Sequence, residues 1–89
     1  MIKCQITIIN KLGLHARAAA KLVNTAAGFS SKVMIGNPAN MVDGKSIMSV
    51  MMLAASQHSM LNIEVTGKDE EQAMEAVCAL VNDRFGEDE

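Results

Sequence analysis

The chain has 89 residues, 49% of them hydrophobic, and a formal net charge of −2 at pH 7. That length suits one small domain, 1–89, with a single core and no large enclosed cavity. The weak negative charge and the lack of aromatics beyond Phe29 and Phe85 exclude a nucleic-acid binder, no run approaches the ~18–20 apolar residues of a membrane span, and no basic-then-apolar leader opens the chain, so a soluble cytoplasmic protein is expected.

With so few aromatics the core must be aliphatic, and the eight methionines serve as flexible filler or as contact surface. Cys4 and Cys78 are the only cysteines; they can in principle pair, but without a leader they read better as reduced, buried thiols. Ile2, Cys4, Ile6 and Ile8 alternate with Lys3, Gln5 and Thr7, which predicts a half-buried strand. From Ala16 to about Ala27 the spacing of Ala19, Leu22, Val23 and Ala26 predicts a helix, stopped by Gly28 in the left-handed position that glycine favours. Lys32 to Ile35 reads as a strand, Gly36-Asn37-Pro38-Ala39 as a turn, and Met41-Val42 as a short third strand.

Asp43-Gly44-Lys45-Ser46 then opens an apolar run, Ile47 to Ala55, with Ser46 placed to cap a helix by accepting the Ser49 N–H. Met60 to Thr66 alternates as a fourth strand, with Leu61, Ile63 and Val65 inward, and Gly67 ends it. Asp69 is placed to cap a last helix whose first turn carries Glu70 and Glu71. The inward stripe of that helix is Ala73, Val77, Leu80 and Val81, and Arg84 followed by Gly86 marks its end. Glu87-Asp88-Glu89 reads as a solvated acidic tail. The order β-α-β-β-α-β-α predicts an α+β open-faced sandwich. A four-stranded antiparallel sheet, built on a split β-α-β unit, carries three helices on one face.

The junction Asn10-Lys11-Leu12-Gly13-Leu14-His15-Ala16-Arg17 concentrates the chemistry. A histidine just ahead of a helix meets unpaired backbone N–H groups and the positive end of the helix dipole. Gly13 allows a tight turn before it, and Arg17 adds a permanent cation. Such an imidazole can carry a phosphoryl group, although an ordinary helix cap is the plainer reading of these residues alone. Other chemistries are excluded more firmly. Gly44-Lys45-Ser46 resembles the tail of a nucleotide-binding loop, but Ala39 stands where that motif needs glycine. His15 and the exposed-loop His58 are too isolated for a zinc set, so no metal and no cofactor is expected.

The second helix has an apolar surplus. Val50, Leu53 and Ala54 fill one inward stripe, leaving Ile47, Met48, Met51 and Met52 where a solvated helix shows charge. A chain this small can hardly bury a helix all round, so an exposed partner-docking patch is expected.

Gly13-Leu14-His15-Ala16-Arg17 and the Lys45-Ser46-Ile47-Met48 helix start, at this interval, resemble the HPr family of phosphocarriers of the bacterial phosphoenolpyruvate phosphotransferase system. The resemblance covers nearly the whole chain. It implies the fold just described and a cytoplasmic carrier that works as a monomer. It implies that His15 accepts phosphate on Nδ1 from enzyme I and passes it to IIA-type domains, with Arg17 and the amides of Ala16, Arg17 and Ala18 holding the anion. It further implies docking of both partners through Ala16, Ala20, Ile47, Met48 and Met51, and regulation at Ser46 by an HPr kinase/phosphorylase. Two departures stand out: Ala18 replaces the usual proline, and Asn24 and Ala27 stand where many members that serve sugar uptake carry lysines. The Ala18-Ala19-Ala20 run also resembles members of the nitrogen-related branch. The rivals from other classes are a small acyl phosphatase, which needs a water-orienting group, and a non-catalytic regulatory binding module using the Ile47/Met48/Met51 face.

Overall fold

The alternation at the start of the chain becomes an edge strand in a four-stranded sheet. The computed structural model describes all 89 residues. The strands are β1 (Ile2–Thr7), β2 (Lys32–Asn37), β3 (Asn40–Asp43) and β4 (Met60–Thr66). They lie in the order β1-β4-β2-β3, every neighbouring pair antiparallel. Because β1 and β2 flank β4 and both oppose it, they run parallel to each other, and α1 (Ala16–Ala27) makes the connection between them. This is the expected split β-α-β unit, and the open-faced α+β sandwich follows from it.

The register explains where the core sits. Ile63 faces Cys4 on one side and Ile35 on the other, and Ile35 in turn faces Val42. One apolar row therefore crosses all four strands on one face. On that face α1 packs against α2 (Ile47–Met52) and α3 (Glu70–Asn82). Leu22, Ile35, Val50, Ile63, Val77 and Phe85 are fully buried between the layers. Truncating a residue such as Phe85 in a core like this costs about 3–5 kcal/mol. No helix is long and apolar enough to cross a membrane.

Several boundaries differ from the sequence reading, each for a tertiary reason. The β2–β3 pairing runs out to Asn37↔Asn40, so Gly36 and Asn37 belong to the strand and only Pro38-Ala39 turn. Gly28 has φ −72° rather than a left-handed value, because the chain leaves α1 through a further tight turn, Phe29 N–H to Ala26 carbonyl. The second helix stops at Met52: Leu53 and Ala54 donate to carbonyls three residues back, and Ala54 turns left-handed at φ 50°. Ala54 is thereby exposed, Leu53 only half-buried, and Ala55 enters the core instead. In α3 the stripe Ala73, Val77 and Val81 is buried as expected, but Leu80 is half-buried and Met74 joins the core.

Asp69 makes no cap hydrogen bond in α3. Its carboxylate instead accepts the backbone N–H groups of Ser30 and Ser31, both at 2.9 Å, and the Ser31 hydroxyl. Glu70 supplies the local contact, its Oε1 accepting the Gly67 N–H at 3.2 Å. The cysteines are not buried: Cys4 lies on an edge strand and is exposed, and Cys78 is half-buried. Burial pushes the Cys78 thiol up, and the adjacent Cys4 sulfur pushes it further.

Candidate functional site

The turn that presents His15 is built on Asn10, which is completely buried. Its Nδ2 donates to the Gly13 carbonyl at 2.7 Å, while the Gly13 N–H returns to the Asn10 carbonyl at 3.1 Å. Gly13 is left-handed (φ 68°), and a Cβ there would lie 2.6 Å from the Ala55 carbonyl oxygen. Only glycine fits that approach. The Leu14 N–H then donates to the same Ala55 carbonyl at 2.8 Å, which ties this turn to the chain just beyond α2.

His15 follows as the first residue outside α1, with extended backbone (φ −75°, ψ 178°) and no side-chain cap hydrogen bond. The ordinary-cap alternative is therefore not what the ring does. The first hydrogen bond of the helix runs from the Ala19 N–H to the His15 carbonyl at 2.8 Å, so the N–H groups of Ala16, Arg17 and Ala18 have no backbone acceptor. Ala16 and Arg17 are exposed. Ala18, the third of these, is completely buried. Arg17 lines the cleft beside His15 and makes no salt bridge.

The first residue of the acidic tail, Glu87, is half-buried, whereas Asp88 and Glu89 are exposed as expected. After α3 a short 3-10 turn, Arg84–Gly86, carries left-handed backbone at Arg84 (φ 55°) and Phe85 (φ 54°). Phe85 is driven into the core, Lys21 Nζ donates to its carbonyl at 2.6 Å, and the chain is folded back across the start of α1. Glu87 Oε2 meets His15 Nε2, and Glu87 Oε1 accepts from Asn10 Nδ2 at 2.9 Å. Burial alone would raise the Glu87 carboxyl, but the hydrogen bonds from Asn10 and His15, with the charges of His15 and Lys21, hold it below the usual range. Glu89 closes the same flap: its carbonyl accepts the Lys11 N–H and its carboxylate lies 3.4 Å from Lys11 Nζ.

Sequence reasoning placed Asn10 in the junction without giving it a role, and read Glu87 as part of a solvated tail. The available signal was Phe85, a large apolar side chain among charges, whose burial drags its neighbours inward.

Ser46 stands on another element, capping α2 as expected through a long contact from the Ser49 N–H (3.4 Å). The α2 surplus is exposed as expected: Ile47 40%, Met48 68%, Met51 40% and Met52 79%. Ala16 is exposed beside His15, and Ala20 is half-buried on the same helix.

Residues 2–83 match the family model described as the PTS HPr component phosphorylation site. The chain is 53% identical over its full length to the phosphocarrier protein HPr of Cupriavidus necator, whose whole length is also covered. Similarity to the phosphocarrier protein NPr of Escherichia coli K12 is lower, 38% over 98% of both chains. The crystal structure of HPr-C-His from Thermoanaerobacter tengcongensis superposes with a TM-score of 0.95 at 42% identity, all of both chains being covered. These likenesses span the sheet, the helices and the His15 turn together, and they favour the carrier over the binding module. The chain belongs to the HPr family and is a histidine phosphocarrier of the phosphotransferase system.

Proposed function

We propose that His15 is the phosphoryl acceptor and that the group is carried on Nδ1. One observation supports this above all: Ala16 and Arg17, whose N–H groups have no backbone acceptor, and the Arg17 side chain, which makes no salt bridge, line one cleft with a single imidazole at the helix start. The Nδ1 lone pair attacks the phosphorus carried by phosphorylated enzyme I. The bond from phosphorus to the donor atom breaks, and its electron pair stays with the donor. A IIA domain then discharges His15 by the same displacement, the P–N bond breaking with its pair returning to Nδ1. No free small molecule is made, so the chain is a stoichiometric relay and not an enzyme. It needs no metal or cofactor, and it acts in the cytoplasm as a monomeric HPr-like unit. Held at the surface by dipole and guanidinium terms of about 0.3–2 kcal/mol, the phosphoryl group remains easy to pass on.

Both partners dock on Ala16, Ala20, Ile47, Met48 and Met51, a flexible apolar patch suited to more than one surface. Phosphorylation of Ser46 by an HPr kinase/phosphorylase would place charge amid Ile47, Met48 and Met51 and weaken that docking. Ser46→Asp is therefore expected to slow transfer from enzyme I, and an unchanged rate would remove the regulatory role. The relay itself is tested with labelled phosphoenolpyruvate and enzyme I. The wild type should acquire an acid-labile, base-stable label, His15→Ala none, and a label that persists in His15→Ala would overturn the assignment. Running the assay with IIA domains of the sugar and nitrogen branches identifies the downstream acceptor.

A further inference from the structure

We infer that Glu87 is a positioning residue for this transfer: it accepts the Nε2–H of His15 and so holds the neutral ring in the tautomer whose lone pair is on Nδ1. The inference rests on His15 being the acceptor and adds what makes the correct nitrogen available.

An ionised carboxylate can only accept, so the ring nitrogen that meets it must be the one bearing hydrogen. Glu87 Oε2 meets Nε2, which leaves Nδ1 unprotonated and nucleophilic in the neutral ring. During transfer the Nδ1 lone pair forms the P–N bond and the Nε2 proton stays in place beside the carboxylate. The positive charge that the ring then acquires is offset by Glu87, and no proton has to leave for the group to move on.

The carboxylate is itself fixed from three directions. Buried Asn10 donates to Oε1 at 2.9 Å and, through the same Nδ2, to the Gly13 carbonyl. Phe85 anchors the chain two residues earlier, and Lys21 holds the Phe85 carbonyl. Glu89 joins Lys11 on the far side. The other charges around the ring are Arg17 on α1, Lys11 in the preceding turn, and Asp88 and Glu89 in the tail. Only Glu87 is bonded to the imidazole.

The orientation of Asn10 makes a sharp test available. Because Nδ2 of Asn10 can only donate, a glutamine at position 87 must keep its oxygen toward Asn10 and turn its amide NH2 toward His15. That group donates to Nε2, which moves the ring proton to Nδ1. Nitrogen NMR of the His15 ring should show Nε2–H in the wild type and Nδ1–H in Glu87→Gln. Transfer from enzyme I should fall about 10- to 100-fold in that variant, as when a histidine loses the partner that orients it. Glu87→Ala, with no group to donate, should retain the water-like mixture of tautomers and a rate between the two. Thermal unfolding of both variants reports the state of the fold separately.

A wild-type ring protonated at Nδ1 would overturn the inference. So would a Glu87→Gln variant that transfers at the wild-type rate or faster, the latter making the tail an inhibitory flap. If the wild type itself takes no label, the carrier reading fails instead, and the ring spectra still decide the tautomer.

Discussion

Asp69 begins α3, yet its carboxylate binds the backbone of Ser31, on the loop that enters β2. The Ser31 hydroxyl and the Ser30 N–H add to the same grip, and together they draw the Asp69 carboxyl down from 3.8 to about 2. The ionised form is therefore the form the fold prefers. Its contribution to stability is complete above about pH 4 and disappears as pH falls from there toward 2. Denaturation midpoints measured across that window should fall for the wild type and stay flatter for Asp69→Asn, which has no proton to take up there. Parallel acid limbs for the two proteins would show that the grip is energetically silent.

Gly13 and Gly28 flank the same helix and should respond oppositely to alanine. At Gly13 the left-handed backbone and the 2.6 Å approach to the Ala55 oxygen leave no room for a methyl group. Gly13→Ala is expected to destabilise by about 1–3 kcal/mol and to slow phosphoryl transfer, since the turn that aims His15 has to move. Chemical denaturation and the enzyme I assay measure the two effects side by side.

At Gly28 the backbone is already right-handed, and a Cβ would stand 3.4 Å from the Thr25 oxygen, an ordinary contact. Gly28→Ala should therefore leave transfer unchanged and stabilise by about 0.4–1 kcal/mol, by restricting the unfolded chain. A loss of stability on this substitution would mean that the helix exit needs freedom the native φ does not reveal.

Met48 is 68% exposed and makes little of the core. Met48→Glu should keep stability within about 0.5 kcal/mol. It should nevertheless weaken productive encounter with enzyme I about 10-fold or more, because an apolar anchor becomes a charge in the proposed contact. The comparison of KM with maximal rate separates docking from chemistry: the effect belongs in KM.

The sheet and the three helices were legible because their signals are local, although the second helix ends at Met52, before its apolar run does. Period-two alternation over Ile2–Ile8 and Met60–Thr66 has one solution when a single face is covered. What was not legible came from contacts remote in sequence. Ile47 to Ala55 is apolar throughout, so no periodicity marks the end of α2; the left-handed Ala54 does. Asp69 stands where a cap belongs, but the Ser30-Ser31 backbone offers more donors than its own helix. Three terminal carboxylates suggest solvent by charge alone, whereas Phe85, Asn10 and Lys21 bring the first of them to His15. At the proposed phosphoryl site His15 and Arg17 were readable as residue types at a helix start, and the partner of the imidazole was not.

One further property follows from the Ala55 carbonyl, which receives the Leu14 N–H while Gly13 rests against the same peptide. The segment just beyond α2 and the turn before His15 are thereby joined directly. A protein seated on Met48 and Met51, as proposed, would consequently be linked to the imidazole through a hydrogen-bonded connection and not through a free loop. The orientational entropy of bringing two reacting groups together is lost largely at docking, before any bond to phosphorus begins to change.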